Sequence, residues 1–306
     1  MIKEVFAFHG EDGTKLNAIV WKPEGTIRAI LQITHGMTEH MDRYNAFAQA
    51  MTAQGILVAG FDLRGHGQNP GSPECASMGK DGWDASLQDM HLFFLHLQEQ
   101  FPGLPHYMLG FSLGSFLLRE YLGKYPEAPA GAIIAGSGQQ SGLLLSIMMG
   151  IVKGQIKKAG FDMTTDLVNQ LSFGVYNDKF KPASTKADWL CSDKKQRRAY
   201  LSDKLCRKNI SSGLFYQLLG SMKRTGKAAS YSNWNKDMPV LLLSGDADPV
   251  GDMGKGMKLL DSTMRVAGMK DVKGFLLPGA RHDIFHEVSS GAAEAAVNLI
   301  LEWMAL

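Results

Sequence analysis

Short apolar runs alternate with longer amphipathic ones through residues 1–138. The rhythm then stops for about a hundred residues and resumes at 237. Strand-like runs lie at 16–22 (LNAIVWK), 29–34 (AILQIT), 56–61 (ILVAGF), 107–111 and 130–135 (AGAIIA). Helical spacing occupies 43–54, 83–100 and 113–124. After the interruption come a strand at 239–243, a helix at 254–267, a strand at 272–277 and a closing helix at 292–304. Strands alternating with helices predict an α/β fold around a mostly parallel central sheet, with helices on both faces. Residues 139–236 hold helical stretches and polar turns but no clear buried strand. They are expected to form a helical cap inserted into a core of 1–138 and 237–306.

Charge divides the chain along the same line. Residues 139–236 carry 17 Lys and Arg against 6 Asp and no Glu, a net of +11, whereas the rest of the chain nets −9. The overall +2 conceals this. With 45% hydrophobic and 20% charged residues, the composition excludes a disordered chain, a collagen-like fibre and a coiled coil. Cys75, Cys191 and Cys206 are scattered, odd in number and without a CxxC pair. Neither a disulfide framework nor a cysteine zinc site is expected, and a reducing compartment follows. The N-terminal apolar stretch is short and carries Glu4, unlike a signal peptide. The most apolar run, GLLLSIMMGIV at 142–152, is 11 residues long. A bilayer span needs about 20. The expectation is a soluble, cytoplasmic protein.

The chemistry centres on Gly110-Phe111-Ser112-Leu113-Gly114, a G-x-S-x-G motif with a strand running in and a helix running out. Such a sharp turn needs small residues two before and two after the serine, where the backbone reverses. The helix N-terminus also brings unpaired N–H groups to the place where an oxyanion would form. A serine needs a base. His282, in Pro278-Gly279-Ala280-Arg281-His282-Asp283, follows the last strand, and His286 is its competitor. The base needs a carboxylate to orient it. Asp248, further past the strand end than Asp246 and locked by Pro249, is the better candidate. The order Ser112, Asp248, His282 is that of the α/β-hydrolase fold. The backbone N–H of Met37, freed by the turn at Gly36, would join that of Leu113 as oxyanion donors.

Metal readings are disfavoured by spacing. His35…Glu39-His40 has one residue too many for H-x-x-E-H, and His282…His286 lacks the HExxH order. No metal or organic cofactor is expected.

In HGMTEHMDRY (35–44), FDLRGHGQNPGS (61–72), GFSLGS (110–115), GDADPV (245–250) and PGARHDIFHE (278–287), the chain resembles the monoacylglycerol lipase and lysophospholipase family of α/β hydrolases. The resemblance implies Ser112 as nucleophile, Asp248 and His282 as its partners, and Met37 and Leu113 as oxyanion donors. It implies a serine hydrolase cleaving single-chain, small-molecule acyl esters. Acyl transfer, peptide or amide cleavage, and a non-catalytic binding role on the same scaffold stay open. Two departures stand out. Phe111 occupies a position where these lipases often carry His, and the insertion is longer than a compact lid.

Within the insertion, Leu143, Leu144, Ile147 and Met148 are candidates for contact with the acyl chain, flanked by Lys153, Lys157 and Lys158. An apolar stretch beside a basic one suits an acyl tunnel or transient contact with anionic lipid, although a packed helix with solvated lysines looks the same. The basic cluster at 194–198 is not interleaved with aromatic residues, so no nucleic-acid partner is expected. Nothing in the sequence speaks to oligomeric state.

Overall fold

The computed structural model describes residues 1–69, 71, 72, 74–126 and 129–305. Pro70, within one of the motifs above, lies outside them.

The sheet forms from β1 (Ile2–His9), β2 (Lys15–Lys22), β3 (Ala29–Thr34), β4 (Ile56–Phe61), β5 (His106–Phe111), β6 (Gly131–Ala135), β7 (Val240–Gly245) and β8 (Val272–Leu277). Their order is β1-β2-β4-β3-β5-β6-β7-β8. The first two pairings, β1 with β2 and β2 with β4, are antiparallel, and all later ones are parallel. Strands β3, β4, β6 and β7 are buried at every residue, as strands covered on both faces must be.

Period-two alternation sorts their side chains into two cores. On one face Leu57, Met108, Ile134 and Leu242 meet α2 (Gly82–Gln100), α3 (Leu113–Lys124) and α9 (Lys255–Val266). On the other, Val58, Leu109, Ile133 and Leu241 meet α1 (Asn45–Thr52) and α10 (Ala292–Met304). This is a three-layer α/β sandwich, the α/β-hydrolase architecture expected from the sequence.

Two boundaries differ from expectation. The N-terminal residues form β1, an edge strand whose mixed charge and largely exposed side chains hide it from a search for apolar runs. The helix expected from 43 begins instead as a 3-10 turn at Met41–Tyr44, because Asp62 accepts the Met41 N–H at 2.8 Å and fixes the chain there.

Between β6 and β7 lie α4 (Gly142–Ala159), the short helices α5 (Asp166–Asn169) and α6 (Val175–Asn177) joined without a break by a π turn at Gln170–Gly174, then α7 (Lys194–Ser202) and α8 (Ser212–Thr225). No strand occurs there among the described residues. Helix α4 packs Leu145 and Val152 inward beside Leu214 and Leu218 of α8. Full burial of such side chains contributes about 1.5–3 kcal/mol each. No helix among the described residues is long and apolar enough to cross a membrane.

Candidate active site

All the parallel strands point their C-terminal ends at one edge of the sheet, where α/β proteins build their sites. There β5 delivers Ser112, β7 delivers Asp248, β8 delivers His282, and β3 delivers the loop holding Met37.

Ser112 sits at φ 50°, ψ −116°, a strained conformation for a residue with a side chain. Such strain amounts to about 1–3 kcal/mol and must be held by its surroundings. The flanking glycines show how. A Cβ on Gly110 would collide with the Gly114 carbonyl, and one on Gly114 would collide with the Thr34 and His35 carbonyls. Helix α3 therefore springs from directly against the end of β3, with Ser112 half-buried at the corner.

The three candidate residues converge. Ser112 Oγ lies 2.9 Å from His282 Nε2, and His282 Nδ1 lies 3.0 Å from Asp248 Oδ2. With the ring protonated at Nδ1, Ser112 donates to Nε2 and Nδ1–H donates to Asp248. The carboxylate is itself held, accepting from the Val250 N–H at 2.8 Å and the Ser244 hydroxyl at 3.3 Å. Asp246 points elsewhere and accepts the Gly279 N–H. His286 binds Asp283 and the Arg43 carbonyl instead of the serine.

Three buried imidazoles show why only one is suited to proton transfer. Burial disfavours the charged ring in each. His35 and His66 bond to backbone, including the Leu63 N–H and the Arg64 carbonyl, and both are pushed well below the ordinary value. For His282, burial is the largest single influence and pulls the same way, but the charge and hydrogen bond of Asp248, joined by the charges of Asp283 and Glu39, outweigh it together, and its pKa is raised.

His282 is also clamped by rings, with Phe111 at 5.0 Å and Trp189 at 5.3 Å between centroids. Its loop is tied to residues 188–193 of the β6–β7 segment. The Asp283 N–H donates to the Leu190 carbonyl at 2.7 Å. Fully buried Glu287 accepts from the Arg281 N–H at 3.0 Å, the Ser192 N–H at 2.7 Å and the Ser192 hydroxyl. Arg281 donates back to the Asp188 carbonyl. On the opposite side, Arg43 bridges Glu39 and Asp283, the latter at 2.7 Å. The Glu39–Arg43 pair and the Arg281–Glu287 bond are local, but the supports that tie this loop to residues 188–193 and to Arg43 join segments far apart in the chain and have no sequence motif.

Met37 and Leu113 both line the cavity over Ser112. Neither backbone N–H meets a protein acceptor among the described residues, whereas that of Gly36 is taken by Glu39 at 2.6 Å. The cavity is small, about 50 Å³, with largely apolar walls from Phe111, Phe116, Phe173, Tyr176, Trp189, Leu190, Leu218 and Met222. A larger cleft of about 740 Å³ adjoins it across Phe173, Trp189 and Tyr200. The four residues of α4 expected at the acyl chain are not on the cavity wall. Leu143, Leu144 and Ile147 are exposed, and half-buried Met148 packs on the core. With Leu145 and Val152 on the buried side of α4, Leu143, Leu144 and Ile147 face outward and Met148 turns toward the core.

Comparison with known proteins gives a consistent picture. Residues 25–289 match the family described as serine aminopeptidase, S33. Human monoglyceride lipase is 28% identical over 287 residues, covering 91% of this chain and 86% of that protein. The monoacylglycerol lipase of Mycolicibacterium smegmatis is 24% identical over 284 residues, covering 92% and 90%. Among solved structures, a thermostable carboxyl esterase from Bacillus coagulans superposes with a TM-score of 0.88 at 23% identity, covering 100% of this chain and 98% of that one. A monoglyceride lipase from Saccharomyces cerevisiae superposes at 0.77 with 19% identity, covering 100% and 95%.

Proposed function

This chain belongs to the family described as serine aminopeptidase, S33, and from that premise we propose that it cleaves single-chain acyl esters of the monoacylglycerol or lysophospholipid kind through an acyl-enzyme on Ser112. At the coarser level it is a carboxylic ester hydrolase. The observation that carries the proposal is the relay Ser112–His282–Asp248, with contacts of 2.9 and 3.0 Å at a strained strand-to-helix turn.

In the first half-reaction His282 Nε2 takes the Ser112 proton as Oγ attacks the ester carbonyl. The tetrahedral oxyanion is held by the N–H groups of Met37 and Leu113, which are free to receive it. Collapse expels the alcohol, which leaves with the proton from His282. Water then repeats the sequence on the acyl-enzyme. Asp248 keeps the imidazole in the Nδ1–H tautomer and stabilises the imidazolium.

The apolar walls around Ser112 favour a hydrocarbon chain, and the names borne by the human and mycobacterial relatives favour a monoacylglycerol. A cavity of about 50 Å³ is far below the roughly 300–1,000 Å³ of small-molecule sites, so residues 139–236 act as a cap that shifts to admit an acyl chain. The exposed apolar face of α4, beside Lys153, Lys157 and Lys158, is the surface this cap would lay on anionic lipid.

Cleavage of an N-terminal peptide, the activity in the family's description, is less well served. An aminopeptidase needs a free carboxylate near the serine for the substrate's ammonium group. Glu39 lines the cavity, but its oxygens are engaged by the Gly36 N–H, the Tyr44 hydroxyl and Arg43.

A hydrolysis panel of short aryl esters, monoacylglycerols, lysophospholipids and aminoacyl anilides tests the assignment, with Ser112→Ala as control. Turnover of the acyl esters is expected, together with loss of both turnover and fluorophosphonate labelling in the variant. Undiminished ester cleavage by Ser112→Ala would sink the mechanism, and a preference for the anilides would sink the substrate class.

A further inference from the structure

We propose that His40, Asp203 and Cys206 bind a thiophilic divalent cation of the zinc type, joining the loop after β3 to the chain that follows α7. The nitrogen, oxygen and sulfur atoms these side chains offer all lie within 4.8 Å of one another. His40 Nε2 is already 2.8 Å from Asp203 Oδ2. His40 and Cys206 are buried, while Asp203 is partly open to solvent and leaves both an entry path and a place for water as fourth ligand.

This is the donor set zinc takes. At ordinary zinc–ligand lengths, ligand atoms in a tetrahedral shell stand about 3.3–3.6 Å apart. The histidine and aspartate need only part slightly and the sulfur only close in. The other Asp203 oxygen accepts the Leu205 N–H at 2.8 Å, which aims Oδ2 at His40, as partners outside a metal's own ligands commonly do. The surrounding cations are largely engaged elsewhere. Arg43 is paired to Glu39 and Asp283, and the Lys208 ammonium donates to the carbonyls of Tyr200 and Asp203. On binding, the Cys206 thiol gives its proton to water as the metal–sulfur bond forms, and no electron changes hands. Aspartate and thiolate together neutralise the 2+ charge.

This site shares only His40 with the local spacing that argues against a catalytic zinc, and its other ligands come from a segment more than 160 residues away. Its position suggests a purpose. His40 stands three residues after Met37, and Asp203 closely follows Tyr200, whose hydroxyl meets Thr38 Oγ at 2.8 Å. A cation here fastens the β6–β7 segment to the loop beside Ser112 and keeps the small cavity closed. That consequence rests on the proposed hydrolase reading; the binding itself does not.

The probe is Co²⁺ titrated into the full-length protein, followed by near-ultraviolet thiolate-to-cobalt charge transfer, with Zn²⁺ competition and equilibrium dialysis. One equivalent is expected, with the charge-transfer band, displaced by Zn²⁺. Cys206→Ser should abolish the band, and Asp203→Asn should raise the Kd tenfold or more. Absence of the band in the unmodified protein, or Zn²⁺ affinity unchanged in either variant, overturns the site. In the same protein Zn²⁺ should slow hydrolysis of a soluble short-chain ester several-fold, reversibly with chelator, and should leave Cys206→Ser unaffected. Full activity with zinc bound overturns the fastening role while leaving the site. Absence of any ester turnover would instead count against the hydrolase reading.

Discussion

Residues 188–193 and helix α4 belong to the same segment between β6 and β7, yet they relate to the site in opposite ways. The first stretch is bound into it. The Leu190 carbonyl holds the Asp283 N–H, Ser192 the Glu287 carboxylate and the Asp188 carbonyl the Arg281 side chain, on both sides of His282, and Trp189 covers the ring. The second touches the core through a single stripe and leaves Leu143 73% and Ile147 55% exposed. A segment read by composition alone is one basic insertion. In space it is part brace for the base and part unpartnered apolar face. The brace consists of polar bonds to buried groups, which are strongly destabilising to leave unmade. The face consists of side chains whose burial awaits something else.

His282 and its carboxylate set the scale for testing this contrast. Asp248→Asn should lower kcat about 10⁴-fold, as loss of the orienting carboxylate does in such relays. The same variant has a signed effect on pH. Because Asp248 makes the largest contribution holding the His282 pKa up against burial, its removal shifts the balance toward burial, opposed then by Asp283 and Glu39. The acid limb of kcat/KM, which reports the neutral base, should then move to lower pH; a shift upward would show that burial is not the opposing influence.

The brace comes next in size. Glu287→Ala strands the N–H groups of Arg281 and Ser192 and should reduce kcat about 10²-fold, the scale of an ångström's misplacement, with KM within about twofold. Thermal melting should fall by several degrees. Unchanged kcat would break the comparison at its stronger end. Ser192→Ala removes only the hydroxyl bond to the Glu287 carboxylate and leaves the Ser192 N–H bond in place. It should reduce kcat about three- to tenfold, less than the full effect, about 1.5–3 kcal/mol, of a hydrogen bond to a charged group.

Smallest of all is the effect on the exposed helix. Leu143→Ser with Ile147→Ser should leave stability within about 0.5 kcal/mol, as for surface substitutions generally. Rates on a soluble ester should be unchanged while rates on vesicle-borne monoacylglycerol drop. Equal losses on both substrates would show that this face supports the site directly and would erase the distinction.

Legibility from sequence follows the range of the interaction concerned. Strands β3, β4, β6 and β7 announce themselves because each is a buried apolar run ended by a turn residue. Strand β1 does not, since its stability comes from pairing with β2 and its side chains are mostly in water. Ser112 is legible because the turn that carries it excludes Cβ atoms at Gly110 and Gly114, a demand written into the same five residues. Asp248 and His282 follow from the strands that deliver them. Trp189, Ser192 and Glu287 were not found in this way, because the contacts that give them meaning cross about 95 residues of chain.

By itself, then, the sequence determined the alternating α/β layering, the strained serine turn and the order Ser112, Asp248, His282 along the chain. Each is a local pattern, and local sterics and hydrophobic periodicity act over a few residues. The tertiary structure alone decided that His282 is the buried imidazole with a raised pKa, that residues 188–193 brace it, that α4 faces outward, and that His40, Asp203 and Cys206 meet. Those outcomes depend on which distant surfaces share a buried volume, where desolvation and charge act through space without regard to position along the chain.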